Sequence, residues 1–411
     1  MTTNPLALRQ TRSRYRWVML ALCTLTPTFV ITLPNLSLPP MFATISQDLG
    51  LSLVQIGTVW GIVSFSGIFF ALIGGTLGDR FGSRSTLFAT CLLTGVFGLA
   101  RSFAIDFNTL LLASLLFGIA QAIIPVMLFK VIRQWFPAEQ LGMASGVISA
   151  GFATGLMLGP LISTSVILPA LGGWRPVLVF YGGITVLVSV LWLIVHPAEQ
   201  KAEASRTPPV SFRHSLRYVM GLRNLWILGI GSLGVSACFS GFAGYLPTYL
   251  KAIGWLEIDA DRALAAFFLA SLTAVVPLSI LSDRLRSRRG FLIIGTLILA
   301  GGIGSLTFAQ GTMIVLVVTA TGFVFDTVMA IQNASVLEVQ GVGYIYAGTA
   351  LGFATMFRNL GGAISPPIGN SLADIGLSAP FLFWGGMGLF AVFMFAVLFK
   401  PQKSPPPEIG H

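Results

Sequence analysis

The chain has 411 residues, 55% of them hydrophobic and only 9% charged, against roughly 25% charged in an ordinary soluble domain. So few charges cannot cover a water-facing surface, which excludes a soluble globular protein. The formal net charge of +10 comes with no basic run interleaved with aromatics, so a nucleic-acid partner is excluded as well.

Apolar stretches of about 20 residues are long enough to cross a hydrocarbon core of roughly 30 Å as helices. In chain order they occur at 17–40, 53–77, 85–100, 108–129, 141–168, 177–195, 225–250, 263–282, 290–309, 312–336, 344–371 and 379–399. Blocks of this length without strict alternation are not β-barrel strands. The expected class is an all-α polytopic protein of twelve transmembrane helices with the lipid bilayer as its solvent.

Before the first span, Arg9, Arg12, Arg14 and Arg16 could belong to a signal peptide, but the apolar stretch that follows is too long, and it is read as an uncleaved first helix. If the N-terminus is cytoplasmic, 19 of the 24 Lys and Arg fall in cytoplasmic segments and only Arg101, Arg175, Lys251 and Arg262 fall outside, with Arg358 inside a span. The positive-inside rule then places both termini in the cytoplasm, as expected of a multi-pass protein of the plasma or inner membrane. Cys23, Cys91 and Cys238 are far apart in apolar segments, so no disulfide framework, metal site or cofactor is expected. The polar stretch 197–222, with Pro197, Pro208 and Pro209, divides the chain into 1–196 and 223–411, each with six spans.

The two parts repeat. Gly75-Thr76-Leu77-Gly78-Asp79-Arg80-Phe81-Gly82-Ser83-Arg84 follows the second span, and Ser279-Ile280-Leu281-Ser282-Asp283-Arg284-Leu285-Arg286-Ser287-Arg288 follows the eighth, 204 residues later. At an offset of 206, Gly155 and Pro160 match Gly361 and Pro366. Two matched pairs at nearly one spacing indicate a duplicated six-helix unit.

The first of these loops resembles the Gly-x-Leu-x-Asp-Arg-x-Gly-x-Arg pattern of the major facilitator superfamily, and Trp135-Phe136-Pro137-Ala138-Glu139 after the fourth span matches it too. Ser83 departs from a usually basic position, and Ser279 and Arg286 replace glycines in the second copy. The resemblance implies two pseudo-symmetric six-helix bundles that rock about a midplane site. It also implies a cytoplasmic gating network of Gly78, Asp79, Arg80, Arg84 and Glu139, with Asp283 and Arg284 as counterparts. Gly151, Gly155 and Gly159 share one helix face before Pro160, which favours a close-packed seam; a similar run is common among antiporters of the superfamily.

In such a fold the first, fourth, seventh and tenth spans surround the cavity, and each carries a polar or small stripe at helical spacing. Thr24, Thr28 and Asn35 share a face of the first; Gly118, Gln121 and Pro125 of the fourth; Ser232, Ser236 and Ser240, with Tyr245 further out, of the seventh; Gly322, Asp326 and Asn333 of the tenth. Asn35, Gln121, Ser236, Ser240, Tyr245, Asn333 and Arg358 are therefore candidate solute ligands, although Ser and Thr in spanning helices also bond their own backbone. Asp326 and Arg358 sit mid-span, where a charge costs about 2.5–3.5 kcal/mol on insertion scales. Either Arg358 receives an oxyanion and Asp326 couples to a proton or cation, or the two neutralise each other.

No phosphate-binding loop is present, so a secondary active transporter is expected, driven by an ion or solute gradient. Tyr245-Leu246-Pro247-Thr248-Tyr249-Leu250-Lys251 together with Arg358 resembles the anion and cyanate-type permease branches, which implies a small organic anion as solute. The alternative on the same fold is a multidrug:proton antiporter, favoured by the glycine run and 32 Phe but opposed by a central cation. His196, His214 and His411 all lie outside the spans and no nucleophile–base constellation is visible, so no enzyme is expected.

Overall fold

A computed structural model describes residues 5–137, 140–195, 212–285 and 288–398, and all regular structure among them is helical. The first span is Pro5–Thr26, continued by a π turn at Pro27–Thr32 and by Leu33–Leu36; Leu38–Leu49 follows after a break at Ser37. Next come the second, Leu53–Phe81, the third, Ser83–Ala100, the fourth, Phe107–Trp135, the fifth, Leu141–Ile162, with a π turn Ser163–Ile167, and the sixth, Trp174–Val195. The seventh to twelfth are Arg223–Ala252, Glu257–Leu285, Arg288–Ser305, Thr312–Leu337, Gly343–Ser371 and Ala379–Phe393. Ten of these elements are long and apolar enough to cross a membrane. The ninth, opening on Arg288 and Arg289, and the eleventh, carrying Arg358, complete the expected twelve.

Local sequence explains where the helices begin and turn. Ser52 and Gln55 cap the second span reciprocally, as Asp106 and Thr109 cap the fourth, each pair satisfying backbone donors that the first helical turn leaves open. Gly82, at φ 80°, makes the tight turn between the second and third spans within the repeated loop motif. Pro27 cannot donate to the helix ladder, and the π turn that begins there lets the Thr28 hydroxyl donate to the carbonyl of Gly151 at 2.8 Å.

That bond belongs to the seam which the glycine run predicted. A Cβ on Gly151 would strike Thr24 and Pro27, one on Gly155 would strike Thr32 and the carbonyl of Thr28, and one on Gly159 would strike Leu36. The fifth span thus lies backbone to backbone on the first. The second copy repeats this arrangement, with Gly361 of the eleventh span against the carbonyl of Leu233 in the seventh.

One apolar cluster fills the last six spans, and two fill the first six. Within the first cluster, Phe239 stacks on Phe325 with ring centroids 4.0 Å apart, and Phe267 and Phe268 pack beside them. Between the two groups of six, the second span runs along the eleventh and the fifth along the eighth. We call the face where the first span begins and the twelfth ends proximal, and the opposite face distal. The polar stretch 197–222 is not irregular throughout: Phe212–Met220 is a helix. It docks through Val219, which is buried, and through Tyr218, stacked on Tyr346 at 4.4 Å.

Candidate solute-binding site

The eleventh span sits between the second and the seventh, so its polar residues face the boundary of the two six-helix groups. Descending from the distal end, Gly57 meets Pro366 and Asn370, Gly61 meets the carbonyl of Ala363, and Gly67 meets the Asn359 side chain. On the neighbouring face Gly362 lies against the hydroxyls of Ser64 and Ser236. Arg358 is one helical turn before Gly362 and shares its face. Arg358 thus stands near the middle of the eleventh span, one turn from the contacts that Gly362 makes with Ser64 and Ser236.

Nothing anionic among the described residues neutralises it. Arg358 Nη2 reaches the Thr355 hydroxyl at 3.3 Å, a long bond within its own helix. Asp326 instead accepts from the Ser271 hydroxyl of the eighth span at 2.7 Å, and its own backbone N–H donates back to that oxygen at 3.0 Å. The alternative in which Arg358 and Asp326 form a bridge is thus not what the structure contains. Asp326 is tied to the eighth span, whereas the bond of Arg358 stays within the eleventh.

The other candidates divide. Asn35 Nδ2 donates to Gln121 Oε1 at 3.0 Å, and Gln121 Nε2 donates to the carbonyl of Ile31 at 3.1 Å, so the first and fourth spans do bring their amides together. Asn35 Oδ1 has no partner although it is buried. Ser236 lies beside Gly362, and Ser240 donates to the Gly362 carbonyl at 3.2 Å, tying the seventh span to the eleventh. Tyr245 requires correction: it is 2% exposed, packed with Tyr249, Phe381 and Trp384, and its hydroxyl donates to the Leu377 carbonyl at 3.0 Å. The aromatic core at the distal end of the last six spans has taken it, because its ring is better buried there than facing a wet cavity. Asn333 is exposed near the proximal end of the tenth span, away from the level of Arg358.

Of the gating candidates, Arg84 Nη2 donates to the carbonyl of Leu193 at the end of the sixth span, while Arg80 is exposed with its guanidinium 5.3 Å from the Phe81 ring. Arg284 is exposed. Gly78, Asp79 and Asp283 are described as helical backbone alone, and Glu139 lies outside the described residues.

The family profile of the Major Facilitator Superfamily matches residues 20–344 and 252–410. The chain belongs to the Major Facilitator Superfamily. It is accordingly a multi-pass membrane transporter by family and not an enzyme. This superfamily member is similar to the probable nitrate/nitrite antiporter NarK1 of Thermus thermophilus, at 26% identity over 86% of this chain and 83% of that one. It is also similar to the hexuronate transporter of Bacillus subtilis, at 23% identity over 88% and 90%. Among solved structures, a bacterial homologue of the human lysosomal transporter Spinster superposes with a TM-score of 0.76 at 16% identity, covering 93% of this chain and 95% of that one. That likeness is one of fold.

Hydropathy and spacing pass over the polar residues at the distal ends of the spans. They leave Lys251 and Asp261 in a loop, yet the seventh helix runs to Ala252 and the eighth begins at Glu257, so both lie on helices and Asp261 is 1% exposed. Arg101, left in a loop on the same grounds, is 1% exposed with its guanidinium 3.4 Å from the centre of the Phe117 ring. The available signal was the spacing of Lys251 and Asp261 across the short turn at Gly254, φ 92°, which lets two helix ends face each other.

Proposed function

We propose that this superfamily member is a secondary active transporter which moves a small organic anion by alternating access between its two six-helix halves, residues 1–196 and 223–411, joined by the 197–222 connection. Arg358 supports the reading most directly: a mid-span guanidinium, one turn from the cross-half contact at Gly362, with no carboxylate partner among the described residues. A planar fork of donors in a low-dielectric seam is suited to a carboxylate or other oxyanion. The similar proteins support the same class, being named for nitrate and nitrite, hexuronate, galactarate and D-glucarate, and sulfoacetate.

In this reading the amides of Asn35 and Gln121, with Ser236, line the first-half and seventh-span sides of the site, and Asp326 is the group through which a proton or cation drives accumulation. Asp326 suits that role because its carboxylate answers only to a neutral hydroxyl and not to the solute-binding arginine. The proximal face is the cytoplasmic face of the plasma or inner membrane, by the distribution of Lys and Arg. There Gly78, Asp79, Arg80, Arg84 and Glu139, with Asp283 and Arg284, form the gate.

The test is a thermal-shift screen of the purified protein against small organic anions, nitrate, neutral sugars and cationic drugs, followed by uptake into proteoliposomes. A solute that binds the native state raises the melting temperature by mass action. Stabilisation by one or more anions and their gradient-driven uptake is expected; stabilisation by cationic drugs alone would replace this reading with a drug antiporter.

A further inference from the structure

Among the described residues, four side-chain hydrogen bonds tie the two halves together on the distal side. Trp60 Nε1 donates to the carbonyl of Ser240 at 2.9 Å, and Asn370 Nδ2 donates to that of Leu53 at 2.8 Å. The other two meet at one place. Lys251 Nζ, at the end of the seventh span, donates to the carbonyl of Pro40 in Leu38–Leu49 at 2.6 Å. The hydroxyl of Thr164, in the π turn that ends the fifth span, donates to Asp261 Oδ2 in the first turns of the eighth.

Lys251 and Asp261 also face each other, with Nζ 3.5 Å from Oδ1 and side chains 11% and 1% exposed. They belong to the same half, but each makes its shorter bond to the other half. Asp261 Oδ1 has no hydrogen bond of its own. An ion pair left partly unsatisfied in a buried place is poor as a stabiliser of the fold, since its desolvation offsets much of its attraction. The arrangement therefore calls for another explanation than folding stability.

We infer that Lys251 and Asp261, held to Pro40 and Thr164, form a charged latch that closes the distal face of the transporter and is broken each time that face opens. Parting the halves returns both charges to water, so the loss of two cross-half bonds is offset by hydration. An apolar seal would expose its surface with no such compensation. Buried charge thus keeps the closed and open states close in free energy, as a gate that cycles requires.

The same geometry separates a latch from a merely structural pair. Thr164→Val removes a cross-half bond without touching the ion pair, and Lys251→Gln removes the charged donor to Pro40. Leu36, 6% exposed and packed among apolar residues of the last six spans, supplies a reporter as Leu36→Cys. The native cysteines are buried, and protein lacking the reporter gives the background. In proteoliposomes, a membrane-impermeant maleimide on the distal side should modify the introduced thiol about threefold faster or more in Thr164→Val and in Lys251→Gln, the effect of losing a hydrogen bond from one of two states. Asp259→Asn, in the exposed pair with Arg262, should leave the rate unchanged.

An unchanged rate in Thr164→Val and Lys251→Gln, in protein that elutes as a folded species, would overturn the latch, as would an equal acceleration by Asp259→Asn. The inference rests on the alternating-access reading above. The assay contains no solute, however, so a failure to transport anions leaves its result intact, and an unchanged labelling rate leaves the anion site intact.

Discussion

Asp326 is bonded to Ser271 and not to Arg358, although both charges lie near the middle of neighbouring spans. The two therefore have separate environments, and substitutions at them should have separable effects.

Arg358→Lys keeps the charge and loses the planar fork. Anion affinity should fall about tenfold or more, the loss of a bidentate charge-assisted contact, while the melting temperature without solute changes little. Isothermal titration and differential scanning fluorimetry on the same preparation read both quantities.

Asp326→Asn can still accept from Ser271 through its amide oxygen. Equilibrium anion binding should persist and gradient-driven accumulation should be lost, while exchange of solute across a membrane without a gradient continues. Proteoliposomes assayed with and without an imposed proton gradient distinguish these. Retained accumulation would remove Asp326 from coupling.

The seam between the fifth and first spans predicts a purely steric effect. Gly155→Leu places a side chain where a Cβ already meets Thr32 and the carbonyl of Thr28, and overpacking of this kind costs roughly 1–3 kcal/mol or more. Gly361→Leu should behave alike against Leu233, and Gly146→Leu, with nothing within 4 Å of its Cβ position, should be tolerated. Melting temperatures of the three, measured in one detergent, make the comparison.

The cap of the fourth span predicts a pH signature. Asp106 accepts from the Thr109 hydroxyl at 2.6 Å and the Thr109 N–H at 2.8 Å, which holds its carboxyl below the ordinary value of 3.8. A lowered folded value means stability that is present above 3.8 and lost as pH falls through the lower folded value. Asp106→Ala should accordingly melt lower than the parent at neutral pH, and the gap should close on acidification. A gap independent of pH would place the effect elsewhere.

What could be read from the chain beforehand follows from what each signal measures. Hydropathy locates the spans because lipid demands runs of apolar residues, and the spacing of Gly155 and Gly361 exposes the duplication because close backbone approach tolerates no other residue there. The same signal misplaces span ends. Lys251 and Asp261 are charged, so a hydropathy window stops short of them, yet backbone hydrogen bonding carries both helices on and buries the pair. The sequence places Tyr245 further along the span that carries Ser236 and Ser240, but it does not reveal that Phe381 and Trp384 from a distant span pack against its ring. Arg358 is visible as a mid-span charge. Its lack of a carboxylate partner among the described residues required three dimensions.

The glycines that line the second span beside the eleventh have a mechanical consequence. Gly57, Gly61 and Gly67 let backbone and amide groups of the eleventh span approach so closely that little side-chain interdigitation separates the two helices. Surfaces without meshed teeth can tilt against each other without first being disengaged. In the proposed alternating access that strip is the fulcrum, and the polar ties at Lys251, Asp261, Trp60 and Asn370 lie at the end of a lever arm. In the proposed alternating access, a small rotation about Gly67 displaces the distal tips further than it displaces Arg358, so the proposed anion ligand stays nearly still while access to it changes sides.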